Sequence, residues 1–307
     1  MAQGFLANGR NMQPVGVIGL GQMGIGIARN LASGGFPTIG FDLRAERGAL
    51  LRAVGGVAAQ SCAEVGARSD ALFVMVMNGR QAQDALFGEG GAVEGLSPGS
   101  TVIVTATVLP SEVQALEEPL AERGIDLIDS PVSGGKAGAD EGALTLMAAC
   151  RTEVLERNRA ALDAISKRTF HVGEQIGQGQ VVKASLQSLI GCIFAATFEA
   201  FVLGAKSGVK GETLFDVIRS SAAGSPLIET CARHVLDRSF ENTGSHIGTM
   251  YKDLGISMSV AREAGAAMFA TSAAYEMFQA GISRYPDGDN WVVAKWLEEI
   301  AGTEVGW

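Results

Sequence analysis

The chain has 307 residues, 47% apolar and 19% charged, a globular composition long enough for about two domains with substantial cores. A net charge of −9 with no basic cluster argues against nucleic acid or an anionic membrane as the main partner. Cys62, Cys150, Cys192 and Cys231 lie far apart, with no metal or disulfide spacing, and fit a reducing cytoplasm. His171, His234 and His246 are scattered away from acidic pairs, so they read as structural residues and no metal site is expected. The first thirteen residues lack the charged start, apolar core and cleavage site of a signal peptide.

Residues 15–20 read as a short buried strand that runs directly into Gly19-Leu20-Gly21-Gln22-Met23-Gly24 and then an apolar helix over 25–32. A second strand, 38–41, ends at Asp42, eighteen residues past Gly24. Strand, glycines, helix, strand and acid in that order form the whole dinucleotide-binding fingerprint, whereas the glycine triplet alone would be weak. Gly19 serves the tight turn, Gly21 the approach of backbone to a pyrophosphate, and Gly24 the close packing of helix on strand. Asp42 is placed to accept hydrogen bonds from the adenosine ribose hydroxyls and repels a 2′-phosphate, so NAD is favoured over NADP. Arg44, two residues on, could in principle serve a 2′-phosphate.

Further strands are predicted at 71–77, 101–104 and 125–129, with helices at 45–53, 81–86 and 111–122. Such alternation gives an α/β fold with a doubly wound, mainly parallel sheet. Ligands bind outside the carboxyl ends of these strands, which makes Asn78, Thr105 and Thr107 candidate cofactor contacts; capping of the next helix is the alternative for each. The run Asp129-Ser130-Pro131-Val132-Ser133-Gly134-Gly135-Lys136-Ala137-Gly138-Ala139 follows a strand. Its successive amides suit a carboxylate-holding nest, and a plain loop is the competing reading. Strands at 143–149 and 168–172 close this domain.

From Gly179 to Lys206 there is no proline, Ala, Leu, Val and Phe dominate, and 188–205 is almost wholly apolar, so one helix of about 40 Å is expected. It is apolar nearly all round, as buried helices are. Residues 189–205 would be long enough to enter a membrane, but Glu199 interrupts them and no aromatic anchors or basic loop flank them. Lys183 and Gln187 share one face near its start. A buried lysine without a partner is costly, so Lys183 should have a ligand or a job; a snorkelling lysine is the bland alternative. Only helices follow, at 211–220, 226–236, 248–264 and 267–281. The organisation is therefore a Rossmann domain over 1–176, a connecting helix over 177–206 and a helical substrate and dimerisation domain over 207–307.

Four separated motifs together resemble the β-hydroxyacid dehydrogenase family, which includes 3-hydroxyisobutyrate dehydrogenase, tartronate semialdehyde reductase and L-threonate dehydrogenase. They are the glycine turn at 19–24, the Asp129–Gly135 run, Gly177-Gln178-Gly179-Gln180-Val181-Val182-Lys183, and Lys252-Asp253-Leu254. The resemblance implies that Lys183 is the catalytic lysine and that Ser133, Gly134 and Gly135 form the substrate-carboxylate loop. It also implies that Thr107 and Lys252 touch the cofactor. The family places Asn three and four residues after the lysine, and the L-threonate branch places His-Gln; here Leu186 departs from both and Gln187 matches the branch. Ala222-Ala223-Gly224-Ser225-Pro226 departs from the branch as well. Both departures concern the substrate's tail.

The expected reaction is reversible hydride transfer between NAD and the hydroxyl carbon of a small hydroxy acid, in a cytoplasmic homodimer or homotetramer. Lys183 would move the proton and Gln187 would fix the substrate without adding charge. Reduction of tartronate semialdehyde is the alternative within the class. A non-catalytic NAD-binding scaffold is the alternative outside it, and the presence of the lysine opposes it. Imine reduction on the same architecture is opposed by the same residue.

Overall fold

The computed structural model describes residues 12–307, which form two compact units. One runs to Ala106 and resumes over Ser111–Gly179; the other is Thr107–Pro110 with Gln180–Trp307. Most of the stretch read for a signal peptide, up to residue 11, lies outside the described residues.

In the first unit β1 (Val15–Ile18) leads through the glycine turn into α1 (Gln22–Ser33) and β2 (Thr38–Phe41). There follow α2 (Ala45–Ala53), β3 (Val57–Ala58), α3 (Cys62–Ala67), β4 (Ala71–Val74), α4 (Gly79–Phe87) and β5 (Thr101–Val104). Next come α5 (Pro110–Gln114), α6 (Glu117–Ala121), β6 (Asp126–Asp129), β7 (Val132–Ser133), α7 (Gly135–Asp140), β8 (Leu144–Ala149), α8 (Thr152–Ile165) and β9 (Ser166–Gly173). The sheet order is β3-β2-β1-β4-β5-β6-β8-β7, with β9 also paired to β8. It is parallel from β3 through β6, with Val15 beside Thr38 on one side and Ala71 on the other. β8 runs antiparallel to β6 and β7, and β9 parallel to β8. β1, β4 and β5 are buried along their whole length, which is why they read as unbroken apolar runs. Phe73, Ile103, Leu31 and Leu162 lie fully buried in the core on the α1 and α8 side. Strand order reverses at β1, between β2 and β4, and in such sheets that switch point is where ligands sit.

The second unit is helical: α9 (Gln178–Lys206), α10 (Gly211–Ser220), α11 (Pro226–Leu236), α12 (Ile247–Ala264), α13 (Phe269–Arg284) and α14 (Val292–Ala301). Phe198, Phe201, Leu254, Phe278 and Val293 fill its centre, and Trp291 meets Phe194 edge-on at 5.2 Å. α12 lies along α9: the Ser257 hydroxyl donates to the Ala184 carbonyl at 2.8 Å, and a Cβ on Gly191 would meet Leu254 at 2.6 Å. α9 has the length and apolarity of a membrane span, yet its phenylalanines are buried in this core.

Several elements depart from expectation for identifiable reasons. The helix expected over 111–122 is two, because Pro119 has no N–H and its ring clashes with the preceding turn. α8 was not expected: Asn158 sits in its buried face and breaks the apolar stripe, satisfied by Thr101 Oγ1 and the Val154 carbonyl. α14 and the two-residue β3 were also not expected. Gly135–Asp140, read with the glycine-rich run as turn or loop, forms α7, which packs on α1. Asn30 Nδ2 bridges the Gly26 and Ala139 carbonyls at 2.8 and 2.7 Å. Arg29 pairs with Asp140 at 3.2 Å. Each histidine has a local partner: His171 Nε2 bonds the Cys150 carbonyl, His234 stacks on Trp291, and His246 Nδ1 accepts from the Gly248 amide at the start of α12.

Candidate active site

The glycine turn is shaped by steric need at two of its three glycines. Gly19 has φ +87°, and a Cβ there would lie 2.2 Å from the Met75 carbonyl oxygen. A Cβ on Gly24 would lie 1.8 Å from the Gly19 oxygen, so α1 can start this close to β1 only with glycine. At Gly21 nothing of the protein comes nearer than Arg44 Nη2 at 3.8 Å. Its face is clear, at the N-terminus of a twelve-residue helix whose exposed end holds Gln22 and half-buried Met23. This is a cradle that fits a pyrophosphate, with backbone N–H groups and the positive helix end turned to it. Leu20 spends its amide otherwise: it donates to Asp42 Oδ2 at 2.8 Å and fixes the acid beside the turn. Asp42 also accepts from the Arg44 amide and guanidinium at 2.9 to 3.3 Å. Burial acts to raise its carboxyl, and the hydrogen bonds from Arg44 and Leu20 outweigh it, leaving the group below its ordinary value.

Among the residues at strand ends, Asn78 is exposed and caps α4, its Oδ1 accepting from the Gln81 amide at 2.9 Å. Thr105 is buried and donates to the Val74 carbonyl at 3.0 Å, so its hydroxyl ties β5 to β4. Ser133 is half-buried at the end of β7, and Gly134 and Gly135 are exposed with φ of +132° and +59°. Two successive positive-φ residues turn the chain into α7, and this geometry is open only to glycine without strain. The packing of α7 on α1 ties this turn to the helix that begins at the glycine turn.

The Gly-x-Gly at the head of α9 has a packing cause. The Gly177 amide donates to the fully buried carboxylate of Asp129 at 2.9 Å, an anion at a helix N-terminus. A Cβ on Gly179 would lie 2.5 Å from the Met147 oxygen and 2.8 Å from the Asp129 oxygen. The helix therefore starts in contact with β6 and β8, and Asp129, which the motif includes without explaining, is the residue that anchors it.

In the second unit Lys183 is 6% exposed and Gln187 7%. Gln187 Nε2 donates to Asp253 Oδ2 at 2.7 Å. The other oxygen, Oδ1, lies 3.0 Å from Lys252 Nζ but receives no directed hydrogen bond, so that contact is ionic only. Lys252 Nζ donates to the Thr107 carbonyl at 2.6 Å, and Gln180 Oε1 accepts from the Val108 amide at 3.1 Å; both side chains hold the 107–110 segment. Burial pushes the Lys183 ammonium below the ordinary lysine value; the Asp253 carboxylate opposes that shift and the Lys252 ammonium adds to it. Lys183, Gln187 and Lys252 thus meet around Asp253, and Lys252 carries the link on to Thr107. The signal available was an acid directly after Lys252 on a helix whose neighbouring positions are apolar. Leu186 is half-buried one turn past Lys183. The departure at 225–226 has a local reason: Ser225 caps α11 and Pro226 occupies its first turn.

A Rossmann unit with an intact nucleotide turn, followed by a helical unit with a buried lysine, defines an NAD(P)-dependent oxidoreductase acting on CH–OH groups. Residues 14–173 match the NAD binding domain of 6-phosphogluconate dehydrogenase, and residues 177–297 match the NAD-binding domain of NADP-dependent 3-hydroxyisobutyrate dehydrogenase. The chain belongs to the β-hydroxyacid, 3-hydroxyisobutyrate dehydrogenase-like family. It is 38% identical to L-threonate dehydrogenase of Cupriavidus necator over 264 residues, 86% of this chain and 89% of that one. It is 33% identical to 2-(hydroxymethyl)glutarate dehydrogenase of Eubacterium barkeri over 268 residues, 87% and 88% of the two chains. A crystal structure of 3-hydroxyisobutyrate dehydrogenase from Salmonella typhimurium superposes with a TM-score of 0.85 at 31% identity, covering 92% of this chain and 99% of that one.

Proposed function

We propose that this chain oxidises, reversibly and with NAD in preference to NADP, the hydroxyl-bearing carbon of a small hydroxy acid of the 3-hydroxyisobutyrate or L-threonate kind. The observation that carries the reading is Lys183, a lysine buried on α9 whose ammonium is disfavoured by its surroundings and whose neighbours are an acid, a second lysine and an amide. Gly19, Leu20, Gly21, Gln22, Met23 and Gly24 would hold the pyrophosphate, Asp42 the adenosine ribose, and Asn78, Thr107 and Lys252 the remainder of the dinucleotide. Bound there, the nicotinamide supplies the hydride chemistry.

The chain's own residues manage position and the proton. Ser133, Gly134 and Gly135 bind the substrate carboxylate through hydroxyl and backbone N–H groups. Neutral Lys183 accepts the hydroxyl proton at Nζ in oxidation and returns it in reduction, and desolvation keeps it neutral enough to do so. Gln187, held by Asp253, offers its amide to the substrate without adding charge. Asp253 offsets the Lys252 ammonium 3.0 Å away and opposes the loss of the proton from Lys183.

We read the molecule as a soluble, cytoplasmic homodimer or homotetramer. Support comes from four free thiols and from exposed apolar side chains along α9, where Leu189 and Leu203 are 58% and 68% exposed. Light scattering on wild type and on Leu189→Glu/Leu203→Glu tests this; an unchanged mass in the variant removes the support. The function is tested by absorbance of the reduced cofactor with L-threonate, 3-hydroxyisobutyrate, 2-(hydroxymethyl)glutarate, glycerate and, in the reductive direction, tartronate semialdehyde. Turnover of at least one is expected. Binding of NAD without turnover of any would favour a non-catalytic scaffold.

A further inference from the structure

One side chain outside both proposed ligand turns joins them. α7 lies on α1 backbone to backbone: a Cβ on Gly26 would stand 2.7 Å from the Ala139 carbonyl oxygen. Half-buried Asn30 closes this seam. Its Nδ2 donates to the Gly26 carbonyl at 2.8 Å and the Ala139 carbonyl at 2.7 Å, with the Asp140 carbonyl at 3.4 Å. Ala139 and Asp140 end α7, where carbonyls have no partner within the helix, so the amide caps the short helix while gripping it. Oδ1 of the same amide abuts Gly142, where a Cβ would be 2.9 Å away.

As α1 advances from Gly26 to Asn30, its contacts advance from Ala139 to Gly142, so the two helices run in the same sense. Four residues back from Gly26 and Ala139 lie Gln22 and Gly135, the first residues of α1 and α7. The nucleotide turn and the Ser133–Gly135 turn therefore open on the same side, about 8–10 Å apart, the spacing of packed helix axes. Hydride transfer requires the reacting atoms to be held closely in line, and a misplacement of about 1 Å costs up to about a hundredfold in rate. We propose that Asn30 is a positioning residue for the reaction: it touches neither ligand, yet it sets where the substrate carboxylate sits relative to the bound cofactor. The role rests on the assignment of Ser133, Gly134 and Gly135 to the substrate carboxylate.

The test is steady-state kinetics with 3-hydroxyisobutyrate and L-threonate, beside calorimetric titration of NAD. The proteins are wild type, Asn30→Ala, Asn30→Gln, Gly26→Ala, Ser133→Ala and Ser133→Ala/Asn30→Ala. Asn30→Ala should raise the KM of the acid by at least about tenfold while NAD affinity stays within about threefold. Asn30→Gln keeps the donor on a longer stem and should recover most of the loss. Gly26→Ala wedges the seam apart without touching the amide and should raise the same KM; alanine suits a helix better than glycine, so folding is not threatened by propensity. Ser133→Ala should raise the acid KM directly, and the double variant should fall short of the product of the two single effects, because both act through one turn. A merely structural asparagine would lower the active fraction, so kcat would fall with the KM of the acid unchanged. That result in Asn30→Ala and Gly26→Ala, or single effects that multiply in full, overturns the proposal while a raised KM in Ser133→Ala leaves the carboxylate assignment standing. An unchanged KM in Ser133→Ala overturns that assignment and the role of Asn30 with it, and turnover of neither acid removes the catalytic reading on which both depend.

Discussion

At the end of β1 the proposed nucleotide surface is made of backbone, whereas on α9 and α12 the proposed catalytic cluster is made of buried and half-buried side chains. The first needs residues without side chains at Gly19 and Gly24, because carbonyl oxygens stand where a Cβ would go. The second needs charges and amides that offset one another: buried Lys183, Gln187 and Asp253, with half-buried Lys252 beside them. Backbone surfaces fail abruptly, by steric exclusion, and take little notice of pH. Side-chain clusters fail by degrees, through lost partners and shifted protonation.

The largest expected effect separates two glycines of the same turn. Gly24→Val drives a branched side chain into the Gly19 carbonyl and should cost more than about 4 kcal/mol, read as a collapse of the urea midpoint. Gly21→Ala meets no protein atom nearer than 3.8 Å and should leave stability within about 1 kcal/mol while weakening NAD binding. Equal stabilities for the two variants would break the distinction between a structural and a ligand-facing glycine.

In the second unit, Lys183→Met should lower kcat by about 10²- to 10⁴-fold while NAD affinity stays within about twofold. Gln187→Leu should be milder, lowering kcat/KM by about tenfold. It also leaves Asp253 Oδ2 without its donor, a loss of about 1–3 kcal/mol measurable by denaturant titration. The smallest effect is a pH-dependent one. The folded state lowers the proton affinity of Lys183 relative to an unfolded lysine near 10.5, so the unfolded chain binds the extra proton and wild-type stability rises with pH toward that value. Lys183→Met should therefore be more stable than wild type at neutral pH, with the difference narrowing as pH approaches 10.5. A constant difference across that range would mean that Lys183 is charged and compensated in the fold.

The two regions also differ in how far the amino-acid sequence reveals them. The nucleotide turn was legible because steric exclusion leaves glycine as the only residue that fits, and the acid after β2 follows at a fixed topological distance. The parallel sheet was legible because its central strands are buried on both faces. Lys183 stood out as a charge in an apolar helix. Asp253 did not, because the donor that gives it meaning, Gln187, lies 66 positions away and only the packing of α12 on α9 joins them. Asp129 was hidden for the same reason, since its partner is the amide of Gly177. α7 was concealed by composition: a Gly-Lys-Ala-Gly-Ala-Asp helix becomes helical by lying on α1 rather than by propensity.

The central claim is that Lys183 carries the proton and that its neighbours tune it. The pH profile of kcat/KM for hydroxy-acid oxidation at saturating NAD, in wild type, Asp253→Asn and Lys252→Met, measures this directly. Activity in oxidation needs neutral Lys183 and so rises with pH through its pKa. Asp253 raises that pKa and Lys252 lowers it, so the limb should move to lower pH in Asp253→Asn and to higher pH in Lys252→Met. Limbs that stay where wild type has them, or that move together in the same direction, would contradict the assignment.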